Sequence, residues 1–169
     1  LFSQNSFFTD DSAMTVAISN ALVACKYNYG NLSNIAISKM QNTFERYPEL
    51  SYGQKFKFWL MAKEPMPYDS FGNGAAMRVS AVPYFAKDLD QVIELSKKVT
   101  AVSHSHPEGI KGAEATAVAT FLARIGKPKE KIKSVIIRDY YPLDFTLDEI
   151  RSDYEFDVSC QGSVPQALE

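Results

Sequence analysis

Apolar residues that recur every three or four positions constrain the fold of this chain more than any other feature. The clearest stripe predicts a helix from about Ser12 to Lys26 and consists of Met14, Ala17, Ile18, Ala21, Leu22 and Cys25. No segment sustains the two-residue alternation of a half-buried strand, and only VSAVPYF and SVIIRDYY look strand-like. We therefore predict an all-α fold, a compact array of about seven or eight short helices.

Capping residues, prolines and glycines set the other predicted boundaries. Predicted helices begin after Asn31 or Ser33, near Gln54, near Ala75, at Asp88 or Asp90, before Ile110, after Pro128, and at Thr146, where Glu149 completes a capping box. The second ends before Pro48, the third at Ala62, and the alanine-rich helix that begins before Ile110 ends at Gly126. That helix is expected to approach its neighbours closely.

Length and charge exclude several classes of protein. At 169 residues the chain suits a single domain over 1–169, and a net charge of −2 without a basic block favours neither a nucleic-acid nor a membrane partner. Its two cysteines lack the spacing of a zinc site or a disulfide framework, and Cys25 reads as a buried hydrophobe. Without a signal peptide or spanning segment, a cytoplasmic location is expected.

The first segment that could carry chemistry is Thr9, Asp10 and Asp11, where the first helix begins. Adjacent carboxylates beside a hydroxyl offer the hard oxygen ligands that magnesium or calcium prefers. The other interpretation is that an aspartate at this place simply caps the helix and interacts with its dipole.

The second segment is the loop from Ser70 to Arg78, SFGNGAAMR. Glycines on either side of Asn73, followed by small residues, would let backbone N–H groups at a helix N-terminus approach an anion such as phosphate. The loop lacks the Lys and Ser/Thr of a P-loop, so an ordinary glycine turn remains the alternative.

Both histidines of the chain lie in the third segment, SHSHPEG, between two predicted helices. His104 and His106 either contact a ligand or form hydrogen bonds at a helix end. The chain has no GxSxG, HExxH or GxGxxG motif, which disfavours covalent catalysis. A metal-positioned water, with a carboxylate to move the proton, is the general alternative.

In this order, the segments FTDDSAM, SFGNGAAMR and SHSHPEGIKGAEATA resemble the ADP-ribosylglycohydrolase family from about Phe8 to the C-terminus. The resemblance implies an all-α orthogonal array and a two-ion Mg2+ centre whose ligands here are Thr9, Asp10 and Asp11. It also implies that the loop wraps the diphosphate and the neighbouring ribose of ADP-ribose through Gly72, Asn73, Gly74, Ala75 and Met77. By the same resemblance, His104, followed by His106, contacts ADP-ribose, and Ser103 replaces a commoner threonine.

The activity implied by the resemblance is magnesium-dependent hydrolysis of the bond between ADP-ribose and a protein side chain, with Asp10 and Asp11 as catalytic residues. Its partners would be an ADP-ribosylated protein or an ADP-ribosyl small molecule. The family's N-terminal GDxxG-like and C-terminal DxDT-like patterns are not matched, so we expect a partial domain with an incomplete metal centre. The alternative is a non-catalytic or truncated family member that only binds ADP-ribose or serves as a scaffold.

Overall fold

A computed structural model describes residues 6–169, and within that range every regular element is helical. The prediction of an all-α fold is confirmed. The eight α-helices of this described range are α1 Asp10–Cys25, α2 Leu32–Arg46, α3 Gln54–Met61, α4 Leu89–Thr100, α5 Pro107–Arg124, α6 Lys129–Asp139, α7 Leu147–Ile150 and α8 Cys160–Leu168. Residues 1–5 of the predicted domain lie outside the described range.

Helix α1 packs its predicted stripe into the core, and each of the six stripe residues is buried. Its main partner is α2, which buries Leu32, Ala36, Met40 and Phe44. The helix ends at Cys25, and the C-cap residue Lys26 has a left-handed backbone and donates its N–H to the Val23 carbonyl. Burying this stripe is what fixes the position of the α1 N-terminus, where the two aspartates lie.

Helices α4 and α5 form the second tightly packed pair, and α8 lies against α5. Close approach depends on small residues, because a Cβ on Gly112 would lie 2.6 Å from the Cys160 sulfur. The close packing expected of the alanine-rich helix is therefore confirmed. Cys25 and Cys160 are both free and buried, as the apolar stripe predicted for Cys25.

Local capping signals hold in two places that the sequence indicated. Asp88 caps α4 by accepting the Gln91 N–H, and Thr146 with Glu149 forms the complete capping box at α7. No helix within residues 6–169 is both long and apolar enough to cross a bilayer.

The prediction of an α-helix that begins near Ala75 is wrong. The chain forms a 3-10 turn at Asn73–Ala75 and another at Val82–Tyr84. Ala75, Val79 and Val82 are nevertheless buried. Successive 3-10 turns also return side chains to one side about every three residues, so the apolar pattern cannot distinguish them from an α-helix.

Candidate functional site

A cleft of about 990 Å3 gathers residues from segments that are far apart in the sequence. Its volume lies in the upper part of the range for small-molecule sites. It is lined by the start of α1, the start of α3, the Tyr68–Met77 segment, the turn before α5, and the segment that leads into α8. Among the residues predicted from sequence, those that line the cleft are Thr9, Asp10, Asp11, Gly72, Asn73, Gly74, Met77 and His104.

The acidic end of the cleft is the first turn of α1. Thr9 is the N-cap residue, but its side chain makes no capping bond; instead its hydroxyl donates to an Asp11 carboxylate oxygen at 2.9 Å. Asp10 and Asp11 follow in the first turn. The capping interpretation therefore explains little of this segment, since the side chain at the N-cap position, Thr9, bonds to none of the N–H groups that an N-cap normally satisfies.

Burial, and next the charge of Asp11, raise the pKa of the Asp10 carboxyl above its ordinary value. Backbone N–H groups of Asp10 and Asp11 act in the opposite direction and are outweighed. Two crowded carboxylates with an adjacent hydroxyl form the donor set that a hard cation would stabilise, so Thr9, Asp10 and Asp11 fit one side of a Mg2+ site.

These three residues cannot surround the ion by themselves. Within the part of the chain that the structure describes, no group of three or more His, Cys, Asp and Glu side chains is placed to hold a metal. Two octahedral Mg2+ ions need more oxygen ligands than one threonine and two aspartates supply. The acidic turn is therefore open, and a Mg2+ ion held here would need further oxygen ligands.

The glycine loop forms another wall and is attached to the segment before α8. Gly72 pairs with Ser159 in an isolated antiparallel bridge, and the Asn73 N–H donates to the Val158 carbonyl at 2.7 Å. The Asn73 side-chain amide donates to the Asp157 carbonyl and to the Ser163 hydroxyl, at 3.2 and 3.0 Å. Asn73, which the sequence predicts as a binding residue, therefore also holds the loop in place through these hydrogen bonds.

Most backbone donors of this loop are already used inside the protein. Gly72 N–H bonds to the Ser70 hydroxyl, and the N–H groups of Ala75, Ala76 and Met77 bond to carbonyls of the same turn. The expected α-helix N-terminus is absent, because a 3-10 turn and not an α-helix follows, and these four N–H donors are occupied. Ala75 is buried and does not line the cleft.

His104 lies at the floor of the same wall and is only 4% exposed. Its Nδ1 is 2.8 Å from the Ser103 hydroxyl, and its ring is flanked by the rings of Tyr68 and Phe56 at 5.6 and 6.0 Å. Burial, and next the charge of Arg78, lower the pKa of His104 to about 2. The imidazole is therefore neutral at physiological pH.

His106 forms hydrogen bonds at a helix end, which is one of the two roles that the sequence left open for the histidines. It is the N-cap of α5, where its Nδ1 accepts the Glu108 N–H at 3.1 Å. Its ring packs edge-on against Phe71, and it does not line the cleft. Helix-end bonding is therefore the role of His106, whereas His104 lies in the cleft.

Comparison with known proteins shows which family the chain belongs to. The family model described as ADP-ribosylglycohydrolase matches residues 3–166. The chain belongs to the ADP-ribosylglycohydrolase family. It is also 28% identical over 134 residues to ADP-ribosylhydrolase ARH3 of Gallus gallus, in an alignment that covers 71% of this chain and 36% of that protein.

The family match covers the residues that line the cleft from Thr9 to Val164, and the last lining residue, Ala167, follows directly after the match. The chain spans only about a third of the length of the curated relative, 36%. Its all-α architecture is that of the ADP-ribosylglycohydrolase family, as the resemblance implied.

Sequence reasoning missed one wall of this ADP-ribosylglycohydrolase cleft. Phe156 and Val158 line it from the segment that leads into α8, Ser163 and Val164 line it from α8 itself, and Phe156 is 88% exposed. The available signal was the alternation of Tyr154, Phe156 and Val158 with acidic residues in DYEFDV, which belongs to no helix stripe.

Proposed function

We propose that the protein carrying this chain hydrolyses the glycosidic bond between ADP-ribose and an amino-acid side chain, using Mg2+ held by Thr9, Asp10 and Asp11. The observation that carries the proposal is the cleft whose lining includes this acidic turn, the glycine loop and His104. Family membership supports the same class of reaction.

The two walls suit different parts of the ligand. The loop at Gly72–Gly74 and His104 lie where the diphosphate and its ribose would be held, and the acidic turn lies where the distal ribose would present its hydroxyls. Binding energy from the remote diphosphate would then position the reacting carbon near the carboxylates. Phe56 and Phe156 would cover the ligand and exclude water from part of the cleft.

Mg2+, when bound, would supply Lewis-acid polarisation and orientation near the distal ribose. Asp10, whose environment disfavours its charged form, would be stabilised as the anion by that cation. Asp11, which accepts the Thr9 hydroxyl, would accept the proton of the attacking water. A carboxylate from outside the chain is the other group that could take this proton.

A non-catalytic ADP-ribose-binding protein is the second candidate. It is favoured by the incomplete ligand set, because the described residues include no cluster of three acidic, His or Cys groups for a metal. The two candidates differ in whether ADP-ribose binding depends on the cation and whether the glycosidic bond is cleaved.

Isothermal titration of ADP-ribose into this 169-residue chain, with Mg2+ and then with a chelator, tests the proposal. We expect Mg2+ to tighten binding at least about tenfold, and Asp10→Asn to remove that gain. Asp90→Asn is the matched control, since Asp90 occupies the first turn of α4, outside the cleft.

Hydrolysis is then measured on proteins ADP-ribosylated at arginine or at serine and on an ADP-ribosyl small molecule. Mg2+-dependent release of ADP-ribose that is lost in Asp10→Asn would support the enzyme. Equal affinity with Mg2+ and with chelator, and no release, would support the binding protein. The absence of ADP-ribose binding by a folded sample would contradict both.

A further inference from the structure

A buried arginine lies directly behind the His104 wall of the cleft. Arg78 is 0% exposed, and its Nη2 donates to the Val99 and Thr100 carbonyls at 3.1 and 3.4 Å and to the Ser103 hydroxyl at 2.8 Å. Burial lowers its pKa to about 10, which leaves it charged at neutral pH. Within residues 6–169 no carboxylate forms an ion pair with it.

An unpaired buried cation is costly, so its environment is informative. Its Nε and Nη1 have no hydrogen-bond partner in the described part of the chain, and the guanidinium lies 5.4 Å from the centre of the Phe56 ring. Phe56 lines the cleft and packs against His104. The charge therefore lies one layer of side chains behind the cleft surface.

The hydrogen-bond directions between these residues are determined by their chemistry. A guanidinium only donates, so the Ser103 oxygen accepts from Arg78. The hydroxyl proton then has His104 Nδ1, at 2.8 Å, as its available acceptor. A neutral imidazole that accepts at Nδ1 carries its proton on Nε2.

We infer that Arg78 and Ser103 are positioning residues that fix His104 in the Nε2–H tautomer, so that it serves as an uncharged hydrogen-bond donor to an oxygen of the bound ligand. The inference deepens the proposed function and rests on it for the identity of the ligand as ADP-ribose. Neither Arg78 nor Ser103 lines the cleft, so both act through His104.

Two glycines leave the Nε2 of His104 accessible. A Cβ on Gly74 would lie 3.3 Å from this nitrogen, and a Cβ on Gly72 would lie 3.7 Å from it. Because the N–H groups of Gly72, Asn73, Ala75, Ala76 and Met77 are already bonded, Nε2–H is a donor that this wall can still offer. A phosphate or ribose oxygen is the complementary acceptor. In this tautomer His104 offers the cleft no lone pair, which excludes it as a general base or a metal ligand.

The tautomer can be measured directly in the ligand-free chain by two-bond 1H–15N correlation NMR of its two histidines. A His106→Asn variant, which retains a helix-capping side chain, assigns the signals. We expect protonated Nε2 and unprotonated Nδ1 for His104. A protonated Nδ1 would overturn the inference, whatever the ligand proves to be.

Ser103 variants test the hydrogen-bond chain from Arg78 through Ser103 to His104, which we call the relay. Ser103→Ala should shift the His104 Nδ1 resonance and weaken ADP-ribose binding about five- to tenfold, whereas Ser103→Thr, which keeps the hydroxyl, should match the parent in both. A resonance or an affinity unchanged in Ser103→Ala would contradict the positioning role.

The ligand arm separates the two proposals. If the parent chain shows the Nε2–H tautomer but ADP-ribose leaves its Nε2 resonance unmoved and does not bind, the proposed function fails while the relay stands. If ADP-ribose binds but the free protein shows the other tautomer, the relay fails and the proposed function stands.

Discussion

At the acidic end of the cleft the side chains are partly exposed, and the Thr9 hydroxyl bonds to the Asp11 carboxylate two residues away. At the opposite end, His104 is buried and bonded to Ser103, which accepts from Arg78, while Asn73 is tied to the segment before α8. The first end thus depends on local contacts within one helix turn. The second depends on contacts between residues far apart in the sequence.

The difference shows which end can bind without reorganisation. Donors held by a buried network are preorganised, and a ligand oxygen that meets them incurs little ordering cost. Two adjacent carboxylates, one with its pKa raised by burial, are instead incomplete until a cation neutralises them. We expect ADP-ribose affinity to depend on the His104 end and metal dependence on the Asp10 end.

The largest expected effect comes from Asp10→Asn. With Mg2+ at about 100 times its dissociation constant, the parent chain should gain about 2.7 kcal/mol in its free energy of unfolding, and the variant should gain almost nothing. Without metal the variant should be as stable as the parent or slightly more stable, because the asparagine removes the repulsion from Asp11. Thermal unfolding with and without Mg2+ measures both effects.

Asp90→Asn supplies the comparison for this experiment, as it alters a first-turn aspartate of α4. If Mg2+ stabilises Asp10→Asn as much as the parent, the acidic turn is not the metal site. An equal loss of Mg2+ stabilisation in both variants would show a general effect of surface charge instead.

The second effect is a pH dependence that belongs to the buried end. His104 has a pKa of about 2 in the folded chain against an ordinary 6.5, so below about pH 6.5 the unfolded chain takes up a proton that the folded chain does not. The free energy of unfolding should therefore fall by about 2 kcal/mol from pH 8 to pH 5 because of His104 alone, and above pH 6.5 this contribution is constant.

Chemical denaturation of the parent and of His104→Gln at several pH values isolates this contribution, since other groups titrate in both proteins. The stability difference between them should change by about 2 kcal/mol over the interval, with the parent losing more in acid. Parallel curves would show that His104 titrates normally in the folded chain.

The sequence predicted the acidic end better than the buried end. Thr9, Asp10 and Asp11 are consecutive, and the helix that carries them has a regular apolar stripe, so a local pattern contained the necessary information. Asp88 and the Thr146–Glu149 box were predictable for the same reason, because a cap involves residues only three positions apart.

The network behind His104 has no such local pattern. Arg78 and Ser103 are separated by 25 residues, and a buried arginine looks the same in a sequence as an exposed one. The prediction of a helix near Ala75 followed from the glycine loop before it, and the structure has 3-10 turns there instead. Phe156 lines the cleft because the Gly72–Ser159 bridge holds its segment against the glycine loop. The few alternating residues around Phe156 could not predict this contact.

A third, smaller effect distinguishes two glycines. Gly74→Ala should weaken ADP-ribose binding about tenfold with little loss of stability, because its Cβ would lie 3.3 Å from His104 Nε2 while its backbone is unstrained. Gly126→Ala should do the reverse, costing about 1–2 kcal/mol of stability at its φ of +76° and leaving affinity unchanged. Titration calorimetry and thermal unfolding of both variants make the comparison, and equal affinities would show that Nε2 meets no ligand.

The smallest effect tests how firmly the glycine loop is held. Ser163→Ala removes one of the two acceptors of the Asn73 side-chain amide and leaves the Asp157 carbonyl at 3.2 Å, so it should cost about 1 kcal/mol of stability or less. If the loop is preorganised by these ties, affinity for ADP-ribose should also fall, by about two- to threefold. Ser134→Ala is the control, since that exposed hydroxyl bonds only to the Lys131 carbonyl within α6. A loss of stability with unchanged affinity would show that the ligand itself orders the loop, and the two ends of the cleft would then differ less than their hydrogen bonds indicate.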